Sequence, residues 1–421
     1  MRRPWLIVLL AFAATRLVAG YVADHPTVYG QPGSVVDPTS DVANYIVWGN
    51  QMQDFHHWPY RDFGVEYPPG ALVVANAPYA VDVLTYRTEF IILCIAFDAL
   101  GLVAIYRLAR RTGSWWGVGA WLVLIPLLGP VAYTRLDLVV AASIAWSLER
   151  AAAGRWSASG VWLGLGIAAK LTPVLILPGL VAVAPRRWRP FAAASLVVAV
   201  FVAPFVFDLP EMYDSIAAYH LHRGVHAESI YGTFAMVWQS LFGSDIKVVG
   251  AFGAFDVQGT FADRLKVLSN VAALGVLADL TLTTLRRVRR GDGGHLCVVI
   301  AGSLVLLTAV GRVFSPQYLV WLVAPMAAGL AFAPRLLRGA ALALAGSVLL
   351  SGIFYPAMYF KYFNLEGDAL AVALGRNVLL LVAGVLGVRA AWRYPGSGLP
   401  AVEEHEGVEP PQAHVVVGPH G

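Results

Sequence analysis

The chain opens with MRRPWLIVLLAFAATRLVAGYV (residues 1–22), in which Met1-Arg2-Arg3 precedes an apolar run from Trp5 to Val22. Such a run is long enough to cross a hydrocarbon layer, which takes about 20 residues of helix. With no small-residue cleavage site before the polar stretch, it is expected to be a retained first helix rather than a removed leader. The pattern then recurs along the chain. Hydrophobic residues make up 58% and charged residues 13% of 421, and mean hydropathy is +0.65, which excludes an ordinary water-soluble domain. The net charge of +4 comes from arginines spread over many short loops, so no nucleic-acid partner is expected. Cys94 and Cys297 both fall in apolar stretches, which suggests neither a disulfide framework nor a metal site.

Basic clusters recur at Arg107/Arg110/Arg111, Arg150/Arg155, Arg186/Arg187/Arg189, Arg286/Arg287/Arg289/Arg290, Arg335/Arg338 and Arg389/Arg393. The positive-inside rule assigns them to the cytoplasm together with both termini. Spans that satisfy it are 5–23, 88–108, 115–131, 135–152, 157–171, 172–185, 189–207, 265–285, 294–311, 317–333, 338–356 and 368–390. The expected fold is therefore an all-α polytopic membrane protein with about twelve transmembrane helices over 1–393. Two outer loops, 24–87 and 208–264, carry amphipathic helices, and a polar tail over 394–421 is expected to be disordered. Residues 71–84 are apolar but short, and a full crossing there would put Arg107, Arg110 and Arg111 outside, so a re-entrant or surface-lying segment is expected. Lys170-Leu171-Thr172-Pro173 breaks the pair 157–171 and 172–185, predicting two helices that meet below the outer surface beside a wet cavity.

Ionisable groups near the bilayer are costly, and so they point to binding or catalysis. Asp37-Pro38-Thr39-Ser40-Asp41 reads as a helix start, with Asp37 as N-cap and Pro38 at the first helical position. Onward from Asp41, Tyr45 and Trp48 fall at i+4 and i+7 on one face, which would present the acid to a cleft and makes Asp41 the better catalytic candidate. The same loop continues through His56-His57 to Glu66-Tyr67-Pro68-Pro69-Gly70. Arg135 and Asp137 begin an inward-going helix, and Lys170 ends a short one. For Arg135 and Lys170 this placement suggests an anion such as a lipid phosphate, whereas Asp98, in mid-span, suits pairing between helices equally well. In the second outer loop His220, His222 and His226 lack the spacing of a zinc site, and with Arg223 they suit a phosphate or sugar hydroxyl better. Gln317, in Ser315-Pro316-Gln317-Tyr318, stands at another outer helix end, where amide and hydroxyl groups can bond sugars.

In their order, Tyr67-Pro68-Pro69, Phe97-Asp98-Ala99-Leu100, Thr134-Arg135-Leu136-Asp137, Ala169-Lys170-Leu171-Thr172-Pro173, Tyr219-His220-Leu221-His222-Arg223 and Ser315-Pro316-Gln317-Tyr318 follow an outer-loop acid. That order resembles the class C glycosyltransferase superfamily, and most nearly glycosyltransferase family 87, the polyprenol-phosphate-mannose-dependent mannosyltransferases. The resemblance implies a class C fold, an outward-facing site, inversion at the anomeric carbon and a polyprenyl-phosphate-sugar donor. It further implies that one acid of the first outer loop is the general base, which maps to Asp41, with Asp37 and Glu66 in reserve. Relatives carry two closely spaced acids there, whereas Asp37 lies four residues from Asp41. Tyr67, Arg135, Asp137, Lys170, His220, Arg223, His226 and Gln317 complete the expected substrate site. No cofactor is required, although Asp37, Asp41 and Glu66 could share a divalent cation. A glycolipid or lipoglycan acceptor in the bilayer is the expected second substrate. Broken helices and buried charges also suit a lipid or sugar transporter, against which stand the absence of a repeat between the halves and the one-sided polar loops.

Overall fold

The computed structural model describes residues 4–25, 40–218, 221, 223–244, 246–251 and 254–396. It is a helical bundle whose elements follow the apolar runs closely. In chain order the longer helices are α1 Pro4–Asp24, α2 Val42–Gln53, α3 Pro69–Val81, α4 Tyr86–Thr112, α5 Trp116–Leu127, α6 Asp137–Ala152, α7 Trp156–Ala169, α8 Leu177–Val183 and α9 Trp188–Val202. There follow α10 Ile230–Phe242, α11 Thr260–Arg287, α12 Gly293–Ala309, α13 Tyr318–Phe332, α14 Pro334–Phe354 and α15 Gly367–Arg393. Each of the twelve expected spans coincides with one of these helices or with a helix and its short 3-10 extension.

Among the described residues, six helices have the length and apolarity to cross a membrane: α1, α4, α9 with its extension, α11, α14 and α15. Five shorter apolar ones are packed among them. The difference follows from burial. α12 and α13 are covered on nearly every side by protein, and a helix so enclosed need not match the ~30 Å of the hydrocarbon layer. α1, α9 and α11 instead keep wide apolar faces exposed, with Leu10, Leu17, Leu196, Val200, Val271 and Leu274 on the outside. Small residues let the inner helices approach. A Cβ on Gly302 of α12 would stand 2.3 Å from the backbone of Gly387 in α15, the close backbone contact that membrane helix pairs favour.

Ion pairs join the bundle where the sequence offers single buried charges. Asp98 of α4 is fully buried and accepts from Arg16 of α1 at 2.9 and 3.2 Å, from Trp121 Nε1 at 2.6 Å and from Tyr133 Oη at 3.0 Å. Pairing between helices is therefore the role of Asp98. At the far end of α6, buried Glu149 meets Arg107 at 3.0 Å and Arg150 at 3.1 Å.

Three expectations need correction or extension. The bundle is nearly all helical, but the second outer loop also holds a three-stranded antiparallel sheet, β1 Val225–His226, β2 Lys247–Ala251 and β3 Ala254–Gln258, in the order β1-β3-β2. In the first outer loop the described helix starts at Val42, with Asp41 in the cap position, while the expected start at Asp37 and Pro38 falls outside the described residues. Asp37 and His220 lie outside the described residues, as does the tail from 397. Tyr394, expected to begin that tail, is buried and packs edge-on against His295 at 5.1 Å, so the ordered fold reaches past the last helix.

Candidate active site

The segment Asp41–Trp48 is bound to the start of α6 by its backbone. The Asp41 N–H donates to the Thr134 carbonyl at 3.2 Å, and the Leu136 N–H donates to the Tyr45 hydroxyl at 3.3 Å. This stitch sets Asp41 beside Arg135, with 3.4 Å between carboxylate and guanidinium. An aspartate at a helix cap normally accepts from the second or third helical N–H, which is worth about 1 kcal/mol. Asp41 makes no such bond; Ser40 Oγ accepts from the Val42 N–H at 3.1 Å instead. The carboxylate is thus turned away from its local structural role and towards a cavity.

That cavity measures about 460 Å³, within the range of small-molecule sites. Asp41, Glu66, Tyr67, Arg135, Lys170, Arg223, His226 and Gln317 all line it, so eight of the residues singled out from the sequence meet in one place. They arrive from several separate elements. Glu66 and Tyr67 precede α3, whose start is pressed against the end of α7: a Cβ on Gly70 would lie 2.6 Å from the Ala168 carbonyl oxygen. Lys170 follows α7 in extended conformation, where Pro173 and a 3-10 turn redirect the chain. This is the expected break between two short helices, and it opens on the cavity. Arg223 and His226 flank the start of β1, and Gln317 caps α13.

Asp137 does not line the cavity. It sits behind it, buried, and holds Lys170 Nζ at 2.9 Å. The ammonium lies 5.5 Å from the centre of the Tyr67 ring and 5.1 Å from that of Tyr318, close enough for attraction to both faces. Arg135 and Lys170, expected from the sequence as anion binders, are thus each already matched by an aspartate. Such an arrangement fixes cation positions without leaving a large uncompensated charge in a low-dielectric site. Tyr45, Trp48 and Tyr67 form an aromatic wall, with Trp48 and Tyr67 edge to face at 5.8 Å.

Glu66 and His226 are among the outer-loop groups with displaced proton affinities. Burial raises the Glu66 carboxyl above its ordinary value; nearby Asp41 adds to this and Arg223 opposes it. Burial drives His226 down to about 3, assisted by Arg223, so its ring is neutral at physiological pH. Among the described residues no group of three His, Cys, Asp or Glu side chains is disposed to hold a metal ion.

The sequence reading passed over two features. Trp321 lines the cavity one helical turn after Gln317, and its i+4 spacing was the available signal. The other is a clamp behind β1. Arg376 Nη2 and Asn377 Nδ2 of α15 donate to the Glu228 carbonyl at 2.8 and 3.0 Å, and the Tyr362 hydroxyl donates to the Ala227 carbonyl. Tyr355 Oη reaches the Glu228 carboxylate at 2.6 Å, and Arg376 Nη1 lies 3.4 Å from it.

Among solved structures, the chain is similar to ArnT from Cupriavidus metallidurans bound to undecaprenyl phosphate, with a TM-score of 0.46, 16% identity, and coverage of 93% of this chain and 79% of that one. The apo state of the same protein gives a TM-score of 0.45 and 17% identity over 93% and 78%. Among curated proteins, none matches the chain in sequence. Residues 66–257, from Glu66 to the β3 strand beside His226, match the family model of glycosyltransferase family 87.

Proposed function

We propose that this multi-pass membrane protein is an inverting glycosyltransferase. In this reading it moves a hexose, mannose in the first instance, from a polyprenyl-phosphate-sugar to a glycolipid or lipoglycan acceptor at the extracytoplasmic face. The observation that carries the reading is Asp41, a cap-position carboxylate that forgoes the cap and faces a cavity beside Arg135. The match of residues 66–257 to family 87 supports the donor class. The arginine clusters at the opposite helix ends, such as those around Glu149, support the outward-facing part of this reading.

The chemistry asks for few groups. An acceptor hydroxyl oxygen forms a bond to the anomeric carbon on the face opposite the phosphate. The bond from that carbon to the phosphate oxygen breaks, and the polyprenyl phosphate leaves with the electron pair. Asp41 takes the proton of the attacking hydroxyl, with Glu66 the nearest reserve. Arg135, Lys170 and Arg223 steady the charge that develops on the departing phosphate. General-base assistance of this kind is worth 10²–10⁴-fold.

The test is transfer of radiolabelled mannose from its polyprenyl phosphate by the purified protein and by Asp41→Asn, with a membrane lipid extract as acceptor. Label entering a new lipid with wild type, and falling by about 10²–10⁴-fold in a variant of unchanged melting temperature, supports donor class and base together. Equal transfer by both proteins would remove Asp41 from the role. Movement of the intact donor across vesicles, with no new glycosidic bond, would replace the enzyme by a transporter.

A further inference from the structure

The walls of the cavity differ in chemistry. Asp41, Glu66, Arg135, Lys170 and Arg223 are charged or chargeable; the wall made by His226, Gln317 and Trp321 is neutral. On that neutral wall three polar atoms lack any hydrogen-bond partner: His226 Nδ1, Gln317 Oε1 and Trp321 Nε1. Their residues are 4, 6 and 1% exposed. A buried polar atom left unpaired costs roughly 1–3 kcal/mol, and three on one wall of one cavity is a concentration that packing does not require. Unpaired buried polar atoms also occur away from the cavity, at Thr283, Thr284, His295 and Ser347, so it is the convergence of three on one cavity that marks this wall.

The three atoms offer a defined set of bonds. The indole N–H can only donate, and the amide oxygen can only accept. The second ring nitrogen of His226 is engaged by the Phe314 backbone, which leaves Nδ1 as an acceptor on a neutral ring. Gln317 and Trp321 are four residues apart, hence on one face of the start of α13. These atoms are covered although their residues line the cavity, so a turn of an amide or ring is what would bring them to a ligand. A hydroxyl donates and accepts at once, and adjacent sugar hydroxyls match one donor among acceptors. Tyr318, next to Gln317, lies against Lys170, which puts this neutral wall beside the cations assigned above to the phosphate. The sugar joined directly to that phosphate is the group that would reach it.

Resting on the glycosyltransferase reading, we propose that His226, Gln317 and Trp321 form a hydroxyl-reading wall that selects the hexose of the donor. Trp321 is in this way a specificity-determining residue.

The experiment measures kcat/KM for polyprenyl-phosphate-mannose and for its 2-, 3-, 4- and 6-deoxy analogues with wild type, Gln317→Leu and Trp321→Phe. Wild type is expected to lose about ten- to a hundredfold on at least one deoxy donor. The variant lacking the matching group loses a similar factor on full mannose and loses nothing more on that deoxy donor, because the same bond is missing from both sides. The wild-type deoxy series stands even where a variant proves unstable. Deoxy donors all turned over at the mannose rate, or losses that simply multiply in every pairing, would overturn the wall and leave the glycosyltransferase intact. No transfer from any of these donors would overturn both.

Discussion

Asp98 and Asp41 are both carboxylates in apolar surroundings, and each has an arginine beside it, yet the two regions are built on opposite principles. Asp98 is completely buried and receives four donors, which fill its oxygens. Asp41 is partly exposed and faces Arg135 at 3.4 Å, and its carboxylate makes no bond to the helix it caps. A saturated carboxylate has nothing left to offer a substrate, whereas one with spare acceptor capacity has. On the proposed function, the contrast teaches that coordination, more than burial or the presence of a counter-charge, separates a structural acid from a reactive one.

The contrast can be broken by measurement. Its largest effect is the 10²–10⁴-fold loss of transfer in Asp41→Asn at unchanged stability. Asp98→Ala should show the reverse, since removing one partner of a buried pair costs about 3–5 kcal/mol. It should yield little folded protein, while Arg16→Met with Asp98→Leu recovers melting temperature. If the Asp98 single variant melts like wild type, the distinction between the two acids collapses.

A pH titration of thermal stability sharpens the comparison from the side of His226. Its folded value of about 3 lies below the ordinary 6.5, so between those limits the unfolded chain holds the extra proton. Stability is full above pH 6.5 and falls as pH drops towards 3, with a slope of up to ~1.4 kcal/mol per pH unit from this ring. His226→Asn should flatten that limb, and an unchanged limb would place the titration elsewhere. The smallest effect belongs to Ser40→Ala, which removes the only side-chain bond seen at the start of α2 among the described residues. About 1 kcal/mol should be lost. A larger activity loss would show that the cap also aims Asp41.

Much of this was legible in the chain because bilayer constraints write themselves plainly. Long apolar runs bounded by arginines gave the twelve helices, and Asp41, Glu66, Arg135 and Lys170 stood out as ionisable groups where such groups are rare. Asp137 was legible as an ionisable residue, but its position behind Lys170 depended on the turn of α6. Less visible were features whose meaning lies in the partner. Arg16 is one charge within an apolar helix, and its partner Asp98 is 82 positions away. Arg376 meets Glu228 across 148 positions. The sheet escaped because its strands are two to five residues long, too short for alternation to register. Asp37 and Asp41 could be told apart only by which of them adjoined the observed helix start.

The clamp of α15 on β1 bears on the order of events during synthesis. Every group assigned here to the reaction is already in the nascent chain by Trp321, but the donors that hold the Ala227 and Glu228 carbonyls, Tyr362, Arg376 and Asn377, emerge later. A chain cut short before Tyr362 would carry all the side chains proposed for the reaction but leave β1 without its anchor, so on the proposed function competence arrives with the final helix and incomplete copies in the membrane stay silent.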